Sequence, residues 1–471
     1  MNELRIGADD YRRLHDHLFQ ADHDEHGALL LAGEHVTPDG NLLLCVREVH
    51  PLGVDEFPPG EHGYRQLAAS AVARLGNRAA DEQLALVSAH SHPISDDRTG
   101  LSRDDLAAHE RIFSHLLDIT AASSVTGVAF GRRSAAGEVW RSDGSRHALD
   151  QVRVVGANIE MLRARPPRVS HPTDERFDRQ VRLFGAEGQE RLGGLHVGVI
   201  GAGGGGSILA EQLMHLGIGR LTVVDPDIVK THNLSRIMGA TRADARAGTK
   251  KVDVVARAAG AIDATVNVTP LDGDVADLEV AEQLIGCDFL FLATDTATAR
   301  LVVSAIAQTF LIPVVQIGAK VETRSTGEIE QIYTAVRPVL PRRGCLSCAG
   351  LIDPMLLQRE AASPYERANQ NYLGDVDVVD PSVTTLNAAA AGGALNVFLM
   401  AVIGQADDGL AEHRITLTRE GTTLATRVVR NDECRWCGDG AASRYARADV
   451  RLLPCRREDH DGASDPATAV E

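Results

Sequence analysis

The sequence lacks any uninterrupted apolar run approaching the ~20 residues a membrane-spanning helix needs, so no span is expected. It also lacks a positive balance: the formal charge is −17. Binding to nucleic acid by counterion release requires clustered Lys and Arg, so nucleic acid is not an expected partner. The opening stretch, MNELRIGADDYRRLHDHLF, is amphipathic and charged, without the apolar core of a secretory leader, and a soluble cytoplasmic chain is expected. No internal repeat is visible. Cysteine is scarce and odd in number, at seven, and four of the seven fall into two Cys-x-x-Cys pairs. In a reducing compartment such pairs read as metal ligands before disulfides.

What is present divides the chain. At 471 residues it exceeds the roughly 250–300 that one core supports, so two or three domains are expected. Residues 1–160 read as helix, strand, strand, helix, then strands: DDYRRLHDHLFQA, HGALLLAG, NLLLCVREVHPL and EHGYRQLAASAVARL carry those periods, giving an α+β domain. Residues 161–175 hold three prolines and read as a linker. From 176 to 440 strands and helices alternate (LHVGVIGAG, ILAEQLMHL, RLTVVD, KKVDVVARAAGAI, DFLFLATD), the pattern of a doubly wound, Rossmann-like α/β fold. Residues 441–471 are polar and read as a disordered tail.

The stretch VSAHSHPISDDRTGLSRDD carries the first constellation. On a strand, His90 and His92 face one side and can share a cation. Ser102 suits the cap of the following helix, and Asp105, one turn in, can supply a third ligand. Three protein ligands leave a fourth position on zinc for water. Taken singly, each residue has a plain reading: a helix cap with a first-turn acid, a surface carboxylate, a chance pair of histidines. In this order they resemble the JAMM/MPN family of zinc isopeptidases, over about the first 150 residues. The resemblance implies that Glu25 of DEHGALLLAG is the general base, that His90, His92 and Asp105 hold a catalytic Zn²⁺, and that Ser102 donates to the oxyanion. The eight residues between Pro93 and Ser102 make a longer loop than is usual in that family.

The second constellation is VGVIGAGGGGS, a strand that opens into a helix through Gly201, Gly203, Gly204 and Gly206. Such glycines let a phosphate approach a helix N-terminus, and Asp225, at the end of RLTVVD, suits a ribose hydroxyl. A NAD or FAD site reads the same up to this point. Asn233, Arg236, Lys251 and Asp295 then add an amide, two cations and an acid, which suit a triphosphate with Mg²⁺. With RFDRQ, DPDIVKTHNLSR and TDTATAR, this half resembles the ThiF/MoeB adenylyltransferases and the related ubiquitin-activating enzymes, from about 176 to 440. The resemblance implies that Asp225 binds ribose, that Asn233, Arg236 and Lys251 hold the phosphates of ATP, and that Asp295 binds Mg²⁺. It also implies that Arg179 serves the site of the other subunit in a homodimer. Ile237 stands where that family usually has Gln.

Cys345, Cys348, Cys434 and Cys437 have the knuckle spacing of a structural Cys₄ zinc, a redox pair being the other reading. The two resemblances together imply a protein that adenylates the C-terminal glycine of a ubiquitin-like β-grasp partner and also trims or removes it, with a conjugating enzyme or sulfur donor downstream. Adenylation of a small peptide or metabolite, with an accessory peptidase, is the alternative, and a catalytically dead scaffold is a third. None of the unpaired cysteines, Cys45, Cys287 and Cys455, sits where a thioester-forming thiol is expected, so the chemistry is expected to stop at the acyl-adenylate.

Overall fold

The computed structural model describes all residues except 23, 59–66, 167–173, 264, 325–327, 362–380 and 458–471. Among the described residues, nine strands form the first sheet: β1 (Glu3–Gly7), β2 (Gly27–Val36), β3 (Leu42–Pro51), β4 (Ala85–Ser91), β5 (Ser124–Phe130), β6 (Ala135–Arg141), β7 (Arg146–Leu149), β8 (Gln151–Val155) and β9 (Ile159–Leu162). Their order is β7-β6-β5-β4-β2-β3-β1-β8-β9. Strands β2 and β3 are nearly continuous apolar runs because both faces are covered. Leu30, Leu44 and Val46 pack towards α1 (Ala8–Leu18), while Leu29 and Leu31 pack towards α2 (Ala69–Glu82) and α3 (Arg103–Thr120).

The expected opening helix is preceded by a strand, β1, which pairs in parallel with both β3 and β8. Its sequence, ELRIG, hides the strand because Glu3 and Arg5 are buried as an ion pair at 2.9 Å instead of alternating with an apolar face. The second expected helix begins at Ala69; its first residues, 61–66, lie outside the described ones. The expected linker begins two residues early, since β9 runs to Leu162; residues 167–173 are not described.

The second sheet comprises β10 (His196–Ile200), β11 (Arg220–Val224), β12 (Asn267–Leu271), β13 (Phe289–Leu292), β14 (Val314–Thr323), β15 (Ile329–Val339), β16 (His413–Leu417) and β17 (Thr422–Thr426), in the order β12-β11-β10-β13-β14-β15-β16-β17. The first five in that order are parallel and the last three antiparallel. The helices are α4 (Asp178–Gly194), α5 (Gly204–Leu216), α6 (Arg242–Ala247), α7 (Lys251–Ile262), α8 (Leu278–Gln283), α9 (Ala297–Thr309), α10 (Pro354–Ala361) and α11 (Thr384–Val402). Helices α5, α7 and α11 cover one face, and α8 and α9 the other, the layering of a mixed α/β, Rossmann-like fold. Helix α11 corrects the expectation about apolar runs: its 19 residues, free of charge, are long and apolar enough to cross a membrane, yet half of that stretch is buried, against α5, β14 and β15.

The halves share a core. Leu43 and Cys45 of β3 point away from α1 into a cluster with Phe310, Leu311, Tyr445 and Ala446. Arg153, fully buried, bridges Glu3 at 2.7 Å and Asp288 at 2.6 Å. Residues 441–457, read as the start of a loose tail, are instead packed into this junction; residues 458–471 lie outside the described ones. Tyr445 is 1% exposed, its carbonyl accepts from Arg47 at 2.6 Å, and the backbone at Ala446 and Arg447 lies so close to Gly33 that no Cβ fits there. The segment buries Tyr445, Ala446, Ala448 and Leu453, but they are spaced between polar residues with no helix or strand period to read.

Candidate functional sites

Strand β4 carries His90 and His92, and α3 carries Asp105 in its first turn. Their Nε2 atoms are 3.2 Å apart, His90 Nε2 lies 3.1 Å from Asp105 Oδ1 and His92 Nε2 lies 3.4 Å from Oδ2. One donor atom from each lies within 4.8 Å of the others, a set that fits one cation. Ser102 caps α3: its Oγ accepts from Asp105 N–H at 3.1 Å while Asp105 Oδ2 accepts from Ser102 N–H at 2.6 Å. With its oxygen accepting, the exposed Ser102 hydroxyl keeps its proton for a ligand. Burial raises the Asp105 carboxyl, but hydrogen bonds with both imidazoles outweigh it and hold the group far below the usual carboxylate range. The same bond with Asp105 raises His92.

Glu25 is half-buried just before β2, the second strand and not the first, and its charge reaches His92. Ser91, between the two histidines, pins that segment: its Oγ accepts from His26 N–H at 2.9 Å and its own N–H donates to the His26 carbonyl at 2.9 Å. Thr99, unnoticed in the sequence, places its hydroxyl 3.4 Å from Nδ1 of His92. The long loop before Ser102 is what delivers it.

At the second site β10 is followed by Gly201, whose φ of +97° turns the chain towards α5. An ideal Cβ on Gly206 would lie 1.7 Å from the Gly201 carbonyl oxygen, so only glycine permits this approach of helix to strand. Space around Gly203 is open. Asp225 Oδ2 accepts from Ala202 N–H at 2.7 Å, and Lys251 Nζ is shared between Asp225, at 3.4 Å, and Asp227, at 2.6 Å. Arg236 lies against Gly204. Asn233 is buried and spends its Oδ1 on Lys230 N–H at 2.9 Å, shaping the loop that carries Arg236. Asp295 is exposed beyond the end of β13. Asn387 of α11 completes the rim, its Nδ2 only 2.3 Å from an ideal Gly204 Cβ; no local pattern signals it, since α11 lies far downstream of the loop. Arg179 stands apart: its side chain is 85% exposed, with Asp178 at 3.9 Å.

Cys345 Sγ lies 3.8 Å from Cys348 and 3.6 Å from Cys434, and Cys348 lies 3.5 Å from Cys437. A tetrahedron with metal–sulfur bonds of ~2.3 Å has edges of ~3.8 Å, so four thiolates so placed fit one zinc. The remaining cysteines are shielded: burial pushes Cys45 and Cys455 up to about 12 and raises Cys287 further.

A mixed sheet whose parallel strands carry a glycine loop with two cations and acids about it defines a nucleotide-binding α/β protein. The ThiF family model matches residues 177–435, and the chain belongs to the ThiF family. It is 27% identical over 268 residues to the SAMP-activating enzyme E1 of Haloferax volcanii, covering 56% of this chain and 89% of that protein. It is 31% identical over 174 residues to the molybdopterin-synthase adenylyltransferase of Salmonella typhimurium, covering 36% and 67%. It is 30% identical over 151 residues to the tRNA threonylcarbamoyladenosine dehydratase of Escherichia coli, covering 32% and 56%. The nine-stranded half lies ahead of the family match.

Proposed function

We propose that this ThiF-family protein adenylates the C-terminal glycine carboxylate of a ubiquitin-like β-grasp protein. The observation that carries the reading is the pair of cations, Arg236 against Gly204 and Lys251 beside Asp225, at a glycine loop with Asp295 nearby. A nicotinamide needs no such charge, whereas an α-phosphate under attack does. ATP supplies the AMP group, and Asp295 would hold a Mg²⁺ ion whose charge would offset that of the phosphates. Asp225 orients the ribose; Arg236 and Lys251 stabilise charge on the phosphates, with Asn233 holding the loop. The names of the first two relatives, a SAMP-activating enzyme and a molybdopterin-synthase adenylyltransferase, favour a small protein partner over a metabolite. No unpaired cysteine is an exposed, ionisable thiol, so the acyl-adenylate passes directly to sulfur or amine and no thiol-sensitive covalent band forms.

The nine-stranded half is a JAMM/MPN-type zinc (iso)peptidase in this reading, acting on the same partner. A zinc ion held there would supply a hydrolytic nucleophile by acidifying its water. His90, His92 and Asp105 hold the ion, Glu25 takes the proton, and the Ser102 hydroxyl donates to the developing oxyanion. The Cys₄ zinc is structural.

The test is ATP–pyrophosphate exchange with candidate β-grasp proteins, with and without their terminal glycine, beside cleavage of a fused precursor. Asp295→Ala is expected to abolish exchange and leave cleavage, and Glu25→Ala the reverse, with both zinc ions retained. Exchange unaffected by Asp295→Ala removes the adenylation assignment; cleavage at wild-type rate in Glu25→Ala removes the peptidase assignment.

A further inference from the structure

One reactant of the adenylation reading still lacks a partner: the carboxylate to be activated. Arg337 of β15 is level with Gln316 of β14, Leu292 of β13 and Ile200 of β10, the residue before the glycine loop. Laterally paired residues share a sheet face, here the face covered by α9. Arg337 Nη1 donates to Oε1 of Gln316, itself 1% exposed, at 2.8 Å. Among the described residues, the Arg300 side chain, in the first turns of α9, makes a single long bond of 3.5 Å to the Leu351 carbonyl, and its buried Nε has no hydrogen-bond partner. Both guanidiniums lie within electrostatic reach of Tyr333 and of each other.

Two half-buried arginines within electrostatic reach of each other are unfavourable without an anion. Among the described residues, the nearby carboxylates are turned elsewhere. Glu322 accepts from Tyr333 Oη at 3.4 Å and lies 3.8 Å from Lys320 Nζ; Glu360 accepts from the first N–H groups of α9 at 2.9 and 2.8 Å. Burial, with the like charge of Arg300, pushes Arg337 below its ordinary value. Across the sheet, the proposed ribose acid stands at β11, the glycine loop at β10 and Asp295 beyond β13, which leaves β14 and β15 for the second substrate. Two strand spacings, roughly 10 Å, separate β13 from β15, a gap that an extended arginine and a carboxylate together fill. A pair of planar guanidinium forks suits a carboxylate.

We propose that Arg300 and Arg337 form the carboxylate subsite of the adenylation centre, receiving the C-terminal carboxylate of a peptide chain. The proposal rests on the adenylation reading. The experiment uses the full chain and a fluorescein-labelled peptide ending in Gly-Gly, as free acid and as C-terminal amide, titrated by anisotropy without ATP. The wild type is expected to bind the acid roughly tenfold or more tighter than the amide, since a site built for a group rejects the analogue lacking it. Arg337→Gln and Arg300→Gln should erase that preference with an unchanged thermal melt, and Arg337→Lys should restore part of it. Equal binding of acid and amide by the wild type, no binding of either, or a preference that survives both Gln variants overturns the proposal. So does displacement by inorganic pyrophosphate with no acid preference, which assigns the arginines to the leaving group. An acid preference in a protein that exchanges no pyrophosphate keeps the subsite and removes the adenylation reading; exchange without the preference does the opposite.

Discussion

Glu3 shows how much one side chain can hold when it is wholly enclosed. Burial pushes its carboxyl up, but Arg153 and Arg5 more than reverse this and bring it down to about 2, from 4.5. A depressed folded value means stability that is complete above about pH 4.5 and lost as pH falls towards 2. Glu3→Gln, which leaves Arg5 without its acid, is expected to cost roughly 3–5 kcal/mol at pH 7 and to flatten the acid limb of the denaturation curve. Urea melts at a series of pH values check this; an unchanged slope below pH 4.5 removes Glu3 from the acid transition. At this scale the sequence was legible where chemistry follows local geometry. His90 and His92 meet because alternate strand residues share a face, and Ser102 and Asp105 meet through a capping box. It was illegible where topology alone makes neighbours, as with Asn387 at Gly204 or Arg337 within electrostatic reach of Arg300.

Among elements, the junction of β10 and α5 is the most constrained. Gly206→Ala would put a methyl group 1.7 Å from a backbone oxygen, which no rotamer change relieves. Displacing α5 from the strand should cost about 1–3 kcal/mol, as overpacking does, and weaken ATP binding more than tenfold. Gly203→Ala, where space is open, is the control and should change stability by less than about 1 kcal/mol. Calorimetric melting with nucleotide titration compares the two, and equal effects would mean the close approach is not what the loop requires. Most parallel strands and their helices announce themselves by period and glycine; β1 did not, because its polar residues are buried in pairs, and α11 did not, because small residues and uncharged polar ones mask its length.

For the whole molecule, assembly and connection are the two matters of consequence. The homodimer implied by the sequence resemblance would set Arg179, exposed on α4, at the partner subunit's nucleotide. Mixing Arg179→Ala with Asp295→Ala chains is therefore expected to restore part of the exchange activity, since half of the mixed sites carry neither lesion; absence of rescue in verified mixed dimers puts Arg179 in cis. Within one chain, the packing of Tyr445 has a temporal meaning. Arg47 bonds a carbonyl 398 residues away and Asp10 faces a hydroxyl 435 residues away. Contacts of such separation close last. During synthesis, the strands made first would therefore wait, with Leu43 and Cys45 uncovered, until the segment around Tyr445 has left the ribosome. The half that emerges early would need shelter from a chaperone for nearly the whole of translation, and a nonsense codon just ahead of Tyr445 would damage the nine-stranded half at the opposite end of the chain.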